Sequence, residues 1–263
     1  QFEMAVSGLT DKTLSGSIPD SDNLYPPVAI IGMTTDPSVV IVGDSIAMGE
    51  GDTVGDSTGD FGLIARSIGP QCAYTNLSQY ADSAQMFVSG STRRQALLPY
   101  ASHMICEYGF NDIFNAGRGV STVAADLATI RGYMTALGSD KRAYQTTITP
   151  YTTTTDNWAT LANQTPQTNN GNRVSLNALI RALTYFYETA DAIESARDSG
   201  KLKVTGAAFG YTADGGHLNT PGYELVRTAG VLPITDFSST GMPGPGCRRH
   251  KGGIQGATTP YDF

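Results

Sequence analysis

Charge is scarce in this 263-residue chain, with only 16% of residues being Asp, Glu, Lys or Arg. Three histidines, three cysteines and one tryptophan complete the short inventory of special side chains. The charge that is present leans acidic, to a net of -7, which disfavours a nucleic-acid partner on electrostatic grounds. No apolar stretch is long enough to span a bilayer. The N-terminus shows no basic region followed by an apolar one, so no signal peptide is visible. A mature chain whose signal had been removed reads the same way, and we expect a secreted or periplasmic protein. Cys72, Cys106 and Cys247 form neither a metal-ligand cluster nor a CxxC pair. Cys106, inside Met104-Ile105-Cys106, reads as a buried small hydrophobe. A Cys72–Cys247 disulfide is compatible with the sequence but nothing in it requires one, so the redox compartment stays open.

What is there is an alternating text. With 40% hydrophobic residues, a chain of this length can bury a substantial core. Residues 1–36 are polar and turn-rich, an arm or the trailing end of an upstream domain, and close on the apolar run Val28–Ile31. Residues 37–232 alternate between strand-like and helix-like pieces, the pattern of a parallel sheet with crossover helices. Residues 233–263 form a Gly/Pro-rich tail with a basic patch at Arg248–Lys251, expected to be a surface segment. Strands are predicted at Val39–Val42, Cys72–Thr75, His103–Tyr108, Ala143–Ile148 and Tyr185–Thr189. One helix is predicted from a cap at Ser121 through Val123, Leu127, Ile130 and Met134. A second carries Val174, Leu176, Leu179, Ile180 and Leu183. A third follows Thr220-Pro221, with Leu225 and Val226 inward.

The run Val39-Val40-Ile41-Val42 stops at Gly43 and delivers Ser45 immediately after it. The carboxyl end of a buried parallel strand is where α/β proteins hold their chemistry, so Ser45 is a candidate nucleophile. Of the histidines, His103 opens a strand-like run and reads as structural, and His250 lies in the tail. His217 follows Asp214 across two glycines, a spacing that lets the carboxylate fold back onto the imidazole and supply orienter and base in one loop. The alternative is a surface turn with an incidental histidine. Asn111, in Tyr108-Gly109-Phe110-Asn111-Asp112, follows another apolar run. It serves either as an amide donor to an oxyanion or as a helix cap.

In order along the chain, Gly43-Asp44-Ser45, Gly109-Phe110-Asn111-Asp112 and Asp214-Gly215-Gly216-His217 resemble the motifs of the SGNH (GDSL-type) hydrolase family. The resemblance spans about Val39 to Tyr223. It implies an α/β fold, a three-layer α/β/α sandwich with a five-stranded parallel sheet of flavodoxin-like type. It also implies an esterase, lipase, thioesterase or carbohydrate deacetylase that requires no metal or other cofactor. Carried over residue by residue, Ser45 becomes the nucleophile, His217 the general base and Asp214 its orienter. The oxyanion hole then comprises the Ser45 N–H, the Asn111 side chain and a backbone N–H that the family takes from a glycine after the second strand. Here that position, within Asn76–Ser83, falls on Ala81, a departure from the family pattern. Gly43-Asp44-Ser45-Ile46-Ala47 misses the Gly-x-Ser-x-Gly elbow of α/β-hydrolases by one residue, although the order Ser, Asp, His is shared.

Residues 151–171 read as a Thr-, Asn- and Gln-rich loop at the active edge that presents Tyr151 and Trp158. Aromatic faces among short polar groups suit sugars, whereas lipid sites are mostly apolar. The alternative is a solvated loop with Trp158 packed inward. The acidic segment Glu50–Asp60 is expected to be a solvated loop or the opposite wall of the pocket. The expected activity is removal of O-acetyl groups from a carbohydrate, on a small-molecule or polysaccharide ester. The alternatives are a lipase or lysophospholipase-like esterase, and a non-catalytic glycan-binding module. Oligomeric state stays open.

Overall fold

The computed structural model describes residues 31–33, 37–53, 60–233 and 245–247. The strands are β1 (Ile31–Met33), β2 (Ser38–Val42), β3 (Ala73–Asn76), β4 (His103–Cys106), β5 (Arg142–Thr146), β6 (Thr152–Thr154), β7 (Gln164–Pro166), β8 (Phe186–Tyr187) and β9 (Pro245–Cys247). The helices are α1 (Ser45–Met48), α2 (Gly62–Ile68), α3 (Ala84–Gly90), α4 (Thr92–Gln95), α5 (Phe110–Phe114), α6 (Val120–Thr135), α7 (Asn170–Arg181), α8 (Thr189–Ile193) and α9 (Thr220–Thr228). None among the described residues is long and apolar enough to cross a membrane.

Five strands make one parallel sheet in the order β3-β2-β4-β5-β8. Numbered within the sheet this is 2-1-3-4-5, the flavodoxin-like order, with its switch point between β2 and β4. Each of the five expected strands is present: the first gains Ser38, the second shifts by one residue to Ala73–Asn76, and the other three are shorter than expected. Burial on both faces is why β2 and β4 were legible, since every residue of both is buried. Helices α3, α6 and α7 pack together as one outer layer, and α1, α2, α9 and α8 as the other. Outside the sheet, β1 pairs antiparallel with β9. The segment Val28–Ala29–Ile30 and the patch Arg248–Lys251 lie outside the described residues.

Several local expectations need correction. The long helix α6 buries Val123, Leu127, Ile130 and Met134 as expected, but Ser121 does not cap it. The cap position is Gly119, whose extended backbone delivers its carbonyl to the N–H groups of Thr122 and Val123. In α7 the inward positions are Arg173, Leu176, Asn177 and Ile180, while Leu179 faces solvent and Leu183 lies past the end. Polar residues hold that face because each is fully partnered there. Arg173 pairs with buried Glu194 at 2.6 Å, and Asn177 clips both the N–H (2.7 Å) and the carbonyl (2.9 Å) of Ile148. In the acidic segment Glu50, Gly51 and Thr53 are exposed, but Asp52 and Asp60 turn inward. Asp52 takes a two-pronged ion pair from Arg66 at 3.1 and 2.7 Å and a hydrogen bond from Thr220, and Asp60 accepts from the Tyr74 hydroxyl. Cys72 and Cys106 are buried free thiols, pushed up to about 12 by burial.

The predicted loop at 151–171 contains the β6–β7 hairpin, with Thr153 opposite Thr165. Its strands lack an apolar face because the buried side chains are Thr152 and Gln164, and Gln164 spends its amide on the backbone of Leu202 at 2.9 and 2.8 Å.

Candidate active site

Three strand ends and one loop converge at the carboxyl edge of the sheet. After β2 the chain turns at Gly43 and enters α1, whose cap is Asp44: its carboxylate accepts the Ile46 N–H at 2.9 Å. Ser45 is therefore the first helical residue. Its N–H has no acceptor among the described residues, as expected for the opening turn of a helix.

The loop after Phe209 brings the acid and base to this serine. Ser45 Oγ lies 2.8 Å from His217 Nε2, and His217 Nδ1 lies 2.6 Å from Asp214 Oδ2. The second Asp214 oxygen accepts the backbone N–H groups of Gly216 (2.9 Å) and His217 (2.8 Å), so the carboxylate is held on both oxygens. Burial works to raise the Asp214 pKa, but the His217 and Gly216 hydrogen bonds outweigh it and hold the group below its ordinary value. The same bond to Asp214 raises His217 above its ordinary value, against the opposing effect of burial. Buried Thr212 braces the loop: its hydroxyl donates to the His217 carbonyl at 2.6 Å and accepts the Gly215 N–H at 2.8 Å. Nothing in the sequence singled it out, since one threonine at the mouth of a glycine turn carries no periodic signal.

Asn111 follows β4 on α5 and is buried. Its Nδ2 donates to the Asp82 carbonyl at 2.8 Å while its Oδ1 accepts from Asn115 at 2.6 Å. Those two partners fix the amide orientation and leave one Nδ2 proton for the cleft, which Asn111 lines. After β3, Ala81 adopts φ +58, a left-handed conformation that costs an L-residue about 1–2 kcal/mol. Its N–H also has no acceptor among the described residues. The turn is held by a knot that sequence inspection missed. Asp82 accepts from Arg94 at 2.6 Å and from the Tyr108 hydroxyl at 2.5 Å, and Arg94 lies over the Phe87 ring.

A cleft of about 100 Å³ gathers Ser45, Ala81, Asn111, Asp214 and His217 with Tyr80, Phe110, Asn115, Tyr151 and Gly216. Tyr151 stands in it as one wall, packed on Phe110 at 5.4 Å and edge-on to Phe114 at 5.5 Å. Trp158 does not reach it. The indole is buried and donates Nε1–H to Thr152 Oγ1 at 2.8 Å. It supports the Asp214–His217 loop from beneath, since a Cβ on Gly215 would fall 2.8 Å from its ring and 1.9 Å from the Thr152 carbonyl. With φ +85 as well, position 215 admits only glycine. The inward-packed alternative for Trp158 is the one observed.

No family model matches the sequence, and no curated protein matches it. Solved structures do match. One is a member of the lipolytic protein G-D-S-L family from Veillonella parvula, at 15% identity and TM-score 0.52, covering 75% of this chain and 98% of that one. Another is a GDSL-like lipase from Bacteroides thetaiotaomicron, at 14% identity and TM-score 0.50, covering 76% and 87%. The chain has the fold of these proteins, the SGNH hydrolase fold.

Proposed function

We propose that the protein is a carboxylic ester hydrolase that works through a Ser45–His217–Asp214 triad and an acyl-enzyme. The observation that carries this reading is the unbroken path from Asp214 Oδ2 through both His217 nitrogens to Ser45 Oγ, with steps of 2.6 and 2.8 Å. His217 takes the Ser45 proton as Oγ attacks the ester carbonyl, and Asp214 stabilises the imidazolium. The Ser45 and Ala81 N–H groups and the Asn111 amide receive the oxyanion. His217 then protonates the departing alcohol, and the acyl-enzyme is opened by water with His217 again the base. The matched proteins, a lipolytic G-D-S-L family member and a GDSL-like lipase, support ester chemistry.

For the acyl group we propose acetyl or one nearly as small. A cleft of about 100 Å³ lies well below the roughly 300–1,000 Å³ of drug-sized sites. Its rim, with exposed Tyr80 and Asn115 beside Tyr151, supports a hydroxyl-rich alcohol such as a sugar. A polysaccharide substrate would place the protein outside the cytoplasm. The test is a series of p-nitrophenyl esters from acetate to palmitate, run beside acetylated oligosaccharides. We expect kcat/KM to fall steeply beyond butyrate and acetate to be released from the oligosaccharides. A preference for long chains would favour the lipase alternative.

A further inference from the structure

Asp44 and Glu107 stand side by side behind Ser45, both buried and neither part of the triad. Glu107 extends β4 by one residue, its N–H donating to the Val42 carbonyl at 2.8 Å. That places its carboxyl against the Gly43–Asp44 turn. One oxygen accepts the Asp44 N–H at 3.1 Å, and a Cβ at position 43 would come within 2.7 Å of that oxygen. Asp44 Oδ1 is occupied by the Ile46 N–H. Asp44 Oδ2 is buried, and no group among the described residues donates to it. The Glu107 carboxyl lies within hydrogen-bonding reach of the Asp44 side chain.

Two adjacent carboxylates cannot both ionise in a buried site. A single proton on Glu107 resolves the geometry, since the pair then has an O–H for the orphaned oxygen. We propose that Glu107 is a neutral carboxylic acid that positions the nucleophile, donating its O–H to Asp44 Oδ2 while its carbonyl oxygen accepts the Asp44 N–H. Asp44 in turn caps α1, so this clamp sets the backbone from which the Ser45 hydroxyl and N–H face the cleft. Burial, followed by the Asp44 charge, pushes Glu107 well above the usual carboxylate range, whereas Asp44 is raised by burial only to about 6. Both directions are in keeping with the proposed proton on Glu107. The other titratable groups whose charges couple to the pair are His217, Asp112 and Tyr223 toward Asp44, and Tyr223 and Cys106 toward Glu107.

The role of Glu107 as a positioning residue rests on the ester-hydrolase reading, but its protonation is measurable without it. Glutamine reproduces both hydrogen bonds of the neutral acid and leucine reproduces neither. We expect Glu107→Gln to keep kcat within about twofold on p-nitrophenyl acetate and Glu107→Leu to lose up to about 100-fold in kcat with KM little changed. Equal loss in both variants would mean that a carboxylate charge is needed, and full activity in Glu107→Leu would mean that no positioning occurs; either overturns the proposal. Infrared spectroscopy of the wild-type protein at neutral pH should show the C=O stretch of a buried protonated acid, and its absence overturns the proposal even if the variants fail to fold. If the wild type shows that band but cleaves no ester, the activity reading fails while the protonation stands.

Discussion

Asn111 Nδ2 donates to the Asp82 carbonyl at 2.8 Å and so ties the turn after β4 to the turn after β3. The amide proton and the Ala81 N–H are thereby set relative to each other by one hydrogen bond, and both line the cleft beside Ser45. Preorganisation of this kind is what makes such donors effective, because nothing has to reorient when charge develops.

Asn111→Ala removes one donor and the tie together. We expect a loss of about 100- to 1,000-fold in kcat on p-nitrophenyl acetate with little change in KM. Far-ultraviolet circular dichroism should remain that of the wild type, because Asn111 opens α5 rather than filling the core.

Ala81→Gly places a glycine in a conformation that glycine adopts without strain. Relief of the left-handed strain exceeds the extra entropy of the unfolded glycine by about 0.5–1 kcal/mol. Differential scanning calorimetry should show Tm higher by about 2 °C. Activity should stay within about twofold, since the N–H is unchanged; a drop in Tm would contradict the strain at φ +58.

Trp158→Phe keeps most of the ring under Gly215 but deletes the donor to Thr152. Loss of one buried hydrogen bond costs about 1–3 kcal/mol, read as a lower urea midpoint. KM for oligosaccharide esters should not move, because the indole lies outside the cleft. A rise in KM without loss of stability would return Trp158 to the substrate.

The base must be neutral to accept the Ser45 proton, so kcat/KM rises with pH as His217 deprotonates. Its pKa is raised mainly by the hydrogen bond to Asp214, so the midpoint of the acid limb should lie above the ordinary 6.5. Asp214→Asn should move that limb to lower pH and reduce kcat by about 10,000-fold. The signs for stability are opposite for the two partners. The raised His217 contributes below its unfolded pKa and loses that contribution as pH climbs through the folded value. The lowered Asp214 contributes above its unfolded pKa and loses that as pH falls through the folded value. Their combined contribution is largest between the ordinary values of 3.8 and 6.5, which urea titrations of the wild type and Asp214→Asn can map.

What the sequence disclosed follows from which residues speak through composition. The strands Val39–Val42 and His103–Cys106 are buried on both faces and therefore apolar throughout, so their ends, and with them Ser45 and Asn111, were legible. Asp214 and His217 were legible because only two glycines separate them in one turn. Thr152, Gln164 and Trp158 were not, because a hairpin whose inward side chains are polar and hydrogen-bonded to backbone carries no hydrophobic alternation. Arg94, Tyr108 and Glu107 act across 12 to 63 residues of chain. A contact of that separation leaves no local pattern, and the sheet alone brings its members together.

Covalent labelling reaches Ser45, the proposed nucleophile, most directly. Incubation with a fluorophosphonate, followed by proteolysis and mass spectrometry, should give one adduct, on Ser45, in step with loss of esterase activity. Labelling should slow sharply in His217→Ala and vanish in Ser45→Ala. An unlabelled wild-type protein, or an adduct on another serine with activity lost, would contradict the triad.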